Sequence, residues 1–143
     1  MQSFNLDRFI KAQVLDFNRA NAEILEGKKR NDWMSYIFPQ IKGTSDSFES
    51  KIYEISGLRE ALLFYNHSIL GDRYLRICDA LNNSEQPLQN IFNDQDIDKL
   101  HASLTLFHIV DGDQTIFPQL IQKHFDGMLH EATISQLEKI QHF

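Results

Sequence analysis

Apolar residues recur at intervals of three and four along most of the chain, which is the spacing of helices that bury one face. The clearest case begins at Asp94, where Ile97, Leu100 and Leu104 keep this period until Gly112, so we predict a long central helix with Leu104 almost fully buried. The same spacing predicts further helices over residues 6–13, 16–27, 32–38, 56–66, 68–81, 87–92 and 115–125, and a last one opened at Thr133. The expected fold class is therefore all-α, with about eight helices and at least half of the residues helical.

Residues that cap helices set the expected boundaries. Asn5, Ser56 and Asp94 are candidate N-caps, and Thr133 starts a capping-box spacing. Residues 43–56 are polar at first and then read FESKIYEIS, which indicates a short extended or irregular segment. The side chains expected to face the core from the helices over 56–66 and 68–81 are Leu58, Ala61, Leu62 and Tyr65, then Leu70, Tyr74, Cys78 and Leu81.

The length of the chain and its single cysteine limit the number of domains and the cellular compartment to be expected. A chain of 143 residues that is 42% hydrophobic has enough apolar material for one core, so we expect a single domain over residues 1–143. The lone Cys78 falls in an apolar stripe and can form no internal disulfide, which favours a buried thiol and a reducing cytoplasm. No apolar run approaches the roughly 20 residues that span a bilayer, and the first residues do not resemble a secretory signal. We therefore expect a cytoplasmic protein without a membrane partner.

Charge and motifs argue against several classes of function. The net charge of −6 repels phosphate backbones, so nucleic acid is not expected as a partner. The glycine patterns of nucleotide cradles and the histidine pattern of zinc proteases are absent, so we predict neither a cofactor nor a metal. Asp94, Asp96 and Asp98 alternate as in a calcium loop, but Lys99 and Thr105 stand where that loop needs Gly and Glu. Acidic residues in the first turn of a helix explain the three aspartates better.

The least ordinary stretch is GKKRNDWMSYIFPQIKG, residues 27–43, where three cations precede an aromatic helix. Two interpretations are open. The cations of residues 28–30 bind phosphate or carboxylate while Trp33 and Tyr36 stack on a ligand. Alternatively, the cations are a solvated corner at a helix C-terminus and Trp33 anchors the core.

Several blocks in order resemble a known family. They are RFIKAQ from Arg8, the stretch 27–43, YEIS with EALLFY after it, ILGDRYLRIC at 69–78 and DIDKLHASLTLF at 96–107. Together they resemble the bacterial and fungal domain of unknown function 1810, whose members are sometimes labelled calpastatin. The resemblance implies a mainly helical cytosolic protein and implies no established activity.

Carried over by position, the resemblance implies a set of polar and aromatic residues in this chain. The polar ones are Arg8, Gln13, Lys29, Gln40, Lys99, Ser103 and Thr105, and the others are Trp33, Phe38, Pro39 and Phe107. The chain departs from the family pattern at Asp32, where His is expected, at Ser35, where an aromatic residue is usual, and at TSD after Gly43. If that His transfers a proton in the family, then Asp32 replaces it here or the step is lost.

Two classes of function follow as hypotheses. In the first, a small anionic or nucleotide-like ligand is bound by Arg8, Lys29 and Lys99. Gln13 and Gln40 then orient the ligand, Trp33 stacks on it, and Ser103 donates a hydroxyl, with Arg8, Gln40 and Lys99 lining one pocket. In the second, an exposed patch of Trp33, Met34 and Phe38 docks a partner protein. The pattern assigns no catalytic residue and leaves the question of enzymatic activity and the oligomeric state open.

Overall fold

The computed structural model describes residues 4–141, and helices joined by short loops follow one another along this range. The helices are α1 (Asp7–Glu26), α2 (Met34–Ile37), α3 (Phe48–Ile52), α4 (Leu58–Asn66), α5 (Leu70–Asn83), α6 (Leu88–Ile91), α7 (Asp94–Val110), α8 (Ile116–Phe125) and α9 (Glu131–Gln141). The structure is 68% helical, and its only pairing of extended backbone within residues 4–141 is an isolated bridge between Ile41 and Ile55. The predicted all-α fold is confirmed.

Helix α7 lies in the middle of the fold, packed against α4, α8 and α9. Leu100, Leu104 and Phe107 are fully buried on it, so the predicted burial of Leu104 is confirmed. Aromatic rings fill the space around it: the Tyr74 ring of α5 lies 4.4 Å from the Phe107 ring and 5.8 Å from the Phe117 ring of α8. The buried apolar side chains form one cluster, and the Cys78 thiol belongs to it, where burial raises its pKa well above the usual value.

The first helix differs from the prediction because it is continuous. The sequence suggested two helices over 6–13 and 16–27, but α1 runs without a break. No glycine or proline interrupts this stretch, and its buried stripe of Phe9, Gln13 and Phe17 keeps one helical period across the expected gap. Leu15, in that gap, is 77% exposed and simply lies on the outer face. The N-cap is Leu6 rather than Asn5.

The segment between residues 43 and 56 is more ordered than expected. Ser47 caps α3 by accepting a hydrogen bond from the backbone N–H of Ser50, and the chain then pairs Ile55 with Gln40 through the backbone. This helix was missed because its five residues expose Phe48 and Ile52, so they carry no buried stripe.

Several predicted boundaries shift by one to three residues. The N-caps of α4 and α7 are Gly57 and Asn93, not Ser56 and Asp94, and α9 begins at Glu131, before Thr133. On α4, Leu62 was expected to face inward but is 45% exposed, because Phe64 and the neighbouring Glu60 and Ala61 occupy the buried face. None of the helices in the described part of the chain has the length and apolar character needed to cross a bilayer.

Candidate functional site

The basic and aromatic stretch after α1 is organised by Glu23, a buried carboxylate that the sequence analysis did not single out. Its Oε1 accepts hydrogen bonds from the backbone N–H groups of Arg30 (2.6 Å) and Asn31 (3.1 Å) and from the indole N–H of Trp33 (2.9 Å). Its Oε2 accepts from the Asn31 side-chain amide at 2.6 Å. Burial alone would raise the pKa of Glu23, but these four donors outweigh burial and lower it. The loop is therefore folded around an internal anion.

Lys29 is also used within the protein. Its ammonium lies 3.0 Å from the Asp96 carboxylate at the start of α7 and 5.6 Å from the centre of the Trp33 ring. The backbone N–H of Lys29 donates to the carbonyl of Ile91, and its side chain is only 12% exposed. Lys29 therefore links the loop to α6 and α7. Asp32, where the resemblance led us to expect His, is exposed and lies 3.9 Å from the same ammonium.

Arg8 ties α1 to the segment that precedes α4. Its Nη1 donates to Glu60 Oε2 at 2.9 Å, while Nη2 and Nε donate to the carbonyls of Glu54 and Ile52. Glu60 is buried and also accepts from the backbone N–H of Ser56 at 2.8 Å. With a further hydrogen bond from Nη1 to the Asn5 carbonyl, the guanidinium thus satisfies a buried carboxylate and three carbonyls.

Three further predicted ligand-binding residues also have partners in the fold. The Gln13 side-chain amide donates to the Tyr36 carbonyl at 2.7 Å, and Ser103 shares a 2.8 Å hydrogen bond with the Tyr74 hydroxyl. The Gln40 side-chain amide donates to the Thr44 hydroxyl at 3.2 Å. Each of these polar groups is buried, and each is satisfied by a neighbour.

The patch expected to dock a partner protein is not on the surface. Trp33, Met34 and Phe38 are 0%, 3% and 0% exposed. The Trp33 ring packs at 6.4 Å from Phe38 and 6.1 Å from Phe92, in the core. The expectation of an exposed patch was wrong because these side chains fill the space under the loop that Glu23 folds. For the same reason Trp33 offers no free ring face to a ligand.

A surface cavity of about 550 Å³ lies between the loop after Gly43 and the first turns of α7. Its lining residues are Thr44, Ser45, Asp46, Ser47, Asp94, Gln95, Asp98 and Lys99. Lys99 is the one predicted ligand-binding residue among them, and Gln40 reaches the wall only through Thr44. Arg8 and Trp33 do not line this cavity, so the expected convergence of Arg8, Gln40 and Lys99 beside Trp33 was wrong. The reason is that Arg8 and Trp33 are bound to internal carboxylates.

The cavity has a definite charge pattern. Asp46, Asp94 and Asp98 contribute three carboxylates, and Lys99 contributes one ammonium. Within residues 4–141, the Lys99 ammonium has no hydrogen-bond or ion-pair partner. Asp98 Oδ1 lies 2.9 Å from Nε2 of the buried His130, the residue before α9, and this contact helps to fix the position of the carboxylate.

Sequence reasoning flagged the aspartates as helix-start residues and missed the cavity. The departure TSD after Gly43 was the available signal, because Thr44 to Asp46 form its opposite wall. In the part of the chain that the structure describes, no three His, Cys, Asp or Glu side chains are placed to hold a common metal ion.

Comparison with known proteins identifies the family through one sequence profile. The sequence profile of a family described as protein of unknown function (DUF1810) matches residues 3–137. The crystal structure of Rv1873, a conserved hypothetical protein from Mycobacterium tuberculosis, superposes with a TM-score of 0.90 and 32% sequence identity, covering 94% of this chain and 96% of that one. No curated protein matches the chain. The chain therefore belongs to the DUF1810 family of proteins of unknown function.

Proposed function

We propose that the protein binds a small polar molecule in the cavity between residues 44–47 and the first turns of α7. The observation that carries this proposal is the Lys99 ammonium, which lines the cavity and has no partner among residues 4–141. Arg8 and Lys29, the other cations of the predicted ligand site, and the amides of Gln13 and Gln40 have partners within the fold. Of the three cations predicted for that site, Lys99 is thus the one that remains available to a ligand.

The charges of the cavity refine the class of ligand. A purely anionic or nucleotide-like ligand would meet Lys99 but also the carboxylates of Asp46, Asp94 and Asp98. A molecule that combines one anionic group with ammonium or hydroxyl donors would satisfy both charges, and the hydroxyls of Thr44 and Ser47 can add further hydrogen bonds. We therefore favour a zwitterionic or polyhydroxylated ligand bearing one acidic group over a simple anion. The lone, buried Cys78 supports the proposal that this binding takes place in the cytoplasm.

Thermal unfolding across a panel of small metabolites tests the proposal. The panel contains amino acids, sugar acids, simple carboxylates and inorganic phosphate, each measured with wild type, Lys99→Ala and Lys11→Ala. A ligand present at 100 times its dissociation constant adds about 2.7 kcal/mol of stability, which is a rise of roughly 5–10 °C for a chain of this length. We expect Lys99→Ala to lose that rise. Lys11, an exposed lysine of α1 outside the cavity lining, is the matched control and should keep it.

Two results would contradict the proposal. One is a panel in which no compound raises the unfolding temperature of wild type. The other is a ligand whose effect survives in Lys99→Ala and in Asp98→Asn, because binding would then lie elsewhere. If phosphate or acetate stabilises the protein as strongly as the zwitterions do, the cavity is still the binding site, but the proposed class of ligand is wrong.

A further inference from the structure

The Asp98 carboxylate, which lines the cavity, is held from the protein interior by His130. Its Oδ1 lies 2.9 Å from Nε2 of this buried ring. A carboxylate oxygen only accepts hydrogen bonds, so Nε2 carries a proton and donates it. In the range 4–141, Asp98 Oδ2 and the side-chain oxygens of Asp46 and Asp94 have no hydrogen-bond or ion-pair partner. Oδ2 of Asp98 is therefore an acceptor with a fixed position and no partner.

His130 is held by buried neighbours in turn. Its Nδ1 lies 2.8 Å from the hydroxyl of the fully buried Thr133 and accepts a 3.2 Å hydrogen bond from the Thr133 backbone N–H. The same N–H also donates to the His130 carbonyl oxygen at 3.1 Å. The backbone N–H of His130 donates to the buried Thr105 hydroxyl at 3.0 Å. The ring cannot turn without breaking buried hydrogen bonds, so Asp98 keeps the orientation that the ring gives it.

An aspartate on the surface of a helix has no such constraint. The Asp98 side chain is 61% exposed, so without His130 it would exchange between rotamers in water. Ordering a side chain when a ligand binds costs free energy, and a group that is already ordered avoids this cost. The contacts from Thr133 through His130 to Asp98 thus prepare one acceptor on the cavity wall before any ligand binds.

Lys99, the next residue, supplies the opposite charge. Its ammonium has no partner among the described residues, so the cavity wall carries an unpaired cation beside a fixed carboxylate. A ligand that has an acidic group and a separate hydrogen-bond donor can satisfy both. We infer that His130 is a positioning residue, which acts through Asp98 to select ligands with an ammonium or hydroxyl donor beside their acidic group. This inference rests on the proposed binding function and assigns its specificity.

Two pairs of probes measure this selection at neutral pH by isothermal titration calorimetry on the full chain. Serine differs from 3-hydroxypropanoate by its ammonium, and gluconate differs from hexanoate by its hydroxyls. In at least one pair, wild type should bind the donor-bearing probe about tenfold more tightly, the lower end of what a hydrogen bond to a charged group contributes. Asp98→Asn should abolish this preference, because its amide presents an NH₂ group where the ligand needs an acceptor. Asp94→Asn, at a cavity carboxylate outside the His130 contacts, is the matched control and should keep it.

Two changes at His130 separate the positioning of Asp98 from the capping of α9. His130→Gln places an amide NH₂ near the position of Nε2, where it can still donate to Asp98, but it loses the acceptor at Nδ1. His130→Asn places an acceptor near the position of Nδ1 and is a favourable N-cap, but its side chain is too short to reach Asp98. We expect His130→Gln to keep the preference and His130→Asn to reduce it by about two- to tenfold. A role in capping alone predicts the reverse order.

A measurement without ligand accompanies the binding experiments. Three-bond NMR couplings should show a single χ1 rotamer for Asp98 in wild type and an average over rotamers in His130→Asn. Averaging in wild type overturns the positioning role, even if both His130 variants fail to fold.

The binding data can also overturn the inference. They do so if wild type has no preference in either pair, if Asp98→Asn or His130→Asn keeps the full preference, or if His130→Gln loses as much as His130→Asn. Probes that bind through Lys99 without any preference would refute this inference alone and leave the proposed function supported. If no probe and no compound of the metabolite panel binds, both the inference and the proposed function are wrong.

Discussion

Replacing Glu23 with alanine removes the one acceptor that four donors share. The Trp33 indole N–H loses its partner in the fully buried core, while the backbone N–H groups of Arg30 and Asn31 lose theirs in a partly buried loop. An unsatisfied buried donor costs about 1–3 kcal/mol, and hydrogen bonds to a charged acceptor contribute about 1.5–3 kcal/mol each. Water can reach the loop donors but not the indole. We therefore expect Glu23→Ala to lower the free energy of unfolding by about 3–5 kcal/mol.

Glu23→Gln separates the contribution of the hydrogen bonds to stability from that of the negative charge. A glutamine can place its oxygen where Oε1 lies and keep three of the four donors, while the Asn31 amide flips to accept from the new NH₂ group. The expected loss is about 1–2 kcal/mol. Urea denaturation followed by Trp33 fluorescence measures both variants. Glu26→Gln is the control, because Glu26 pairs with Arg30 at 3.1 Å in an exposed ion pair and should change stability by less than about 0.5 kcal/mol.

The pH dependence gives a second test of the same network. The folded-state pKa of Glu23 is lowered, so its contribution to stability is fully present above the ordinary value of 4.5 and is lost as the pH falls through the folded-state value. The difference in stability between wild type and Glu23→Gln should be constant above about pH 5.5 and shrink in acid. A loss under about 1 kcal/mol for Glu23→Ala, or a wild-type advantage that is unchanged at pH 3.5, would refute the role given to this carboxylate.

Three further substitutions test the core. Leu104→Ala should cost about 2–5 kcal/mol in chemical denaturation because Leu104 is fully buried, and a loss well under 1 kcal/mol would mean that α7 faces another way. Gly71→Ala should lower the unfolding temperature by several degrees, since its Cβ would stand 2.0 Å from the Tyr65 carbonyl oxygen; an unchanged temperature would contradict that close approach. Tyr65→Phe removes a 2.7 Å hydrogen bond to Asp111 and should cost about 1 kcal/mol by urea denaturation, and a neutral result would show that water replaces the bond.

The helices could be predicted because their signal is local. On α7, Leu100 and Leu104 repeat at helical spacing, and a burial pattern of this kind is written in neighbouring residues. The errors arose at positions where the spacing of apolar residues does not indicate which side chains are buried. The expected break between residues 13 and 16 was wrong because the buried stripe of α1 continues across it, and α3 was missed because Phe48 is exposed.

The cavity could not be predicted because it depends on residues far apart in the chain. Thr44 and Lys99 are brought together by the packing of α7 against the segments around it, and nothing in the sequence near either residue records that contact. The link from Asp98 to His130 likewise joins α7 to the start of α9. Patterns within one helix indicated the acidic start of α7, but they could not show what it faces.

The same limitation explains why the family pattern looked like an anion-binding site. Cations and hydrogen-bond donors in a fixed pattern are suited to bind anions, and three of them bind carboxylates of the protein itself, which the sequence analysis had not paired with them. The pairs are Arg8 with Glu60, Lys29 with Asp96 and Trp33 with Glu23. All three carboxylates are buried, so removing any partner leaves a charge or a donor unsatisfied and destabilises the fold. Residues of this kind are constrained by folding whether or not a ligand exists. Lys99 is different, because its charge is not needed to satisfy any group among residues 4–141, and it is at Lys99 that a requirement of function can be separated from a requirement of folding.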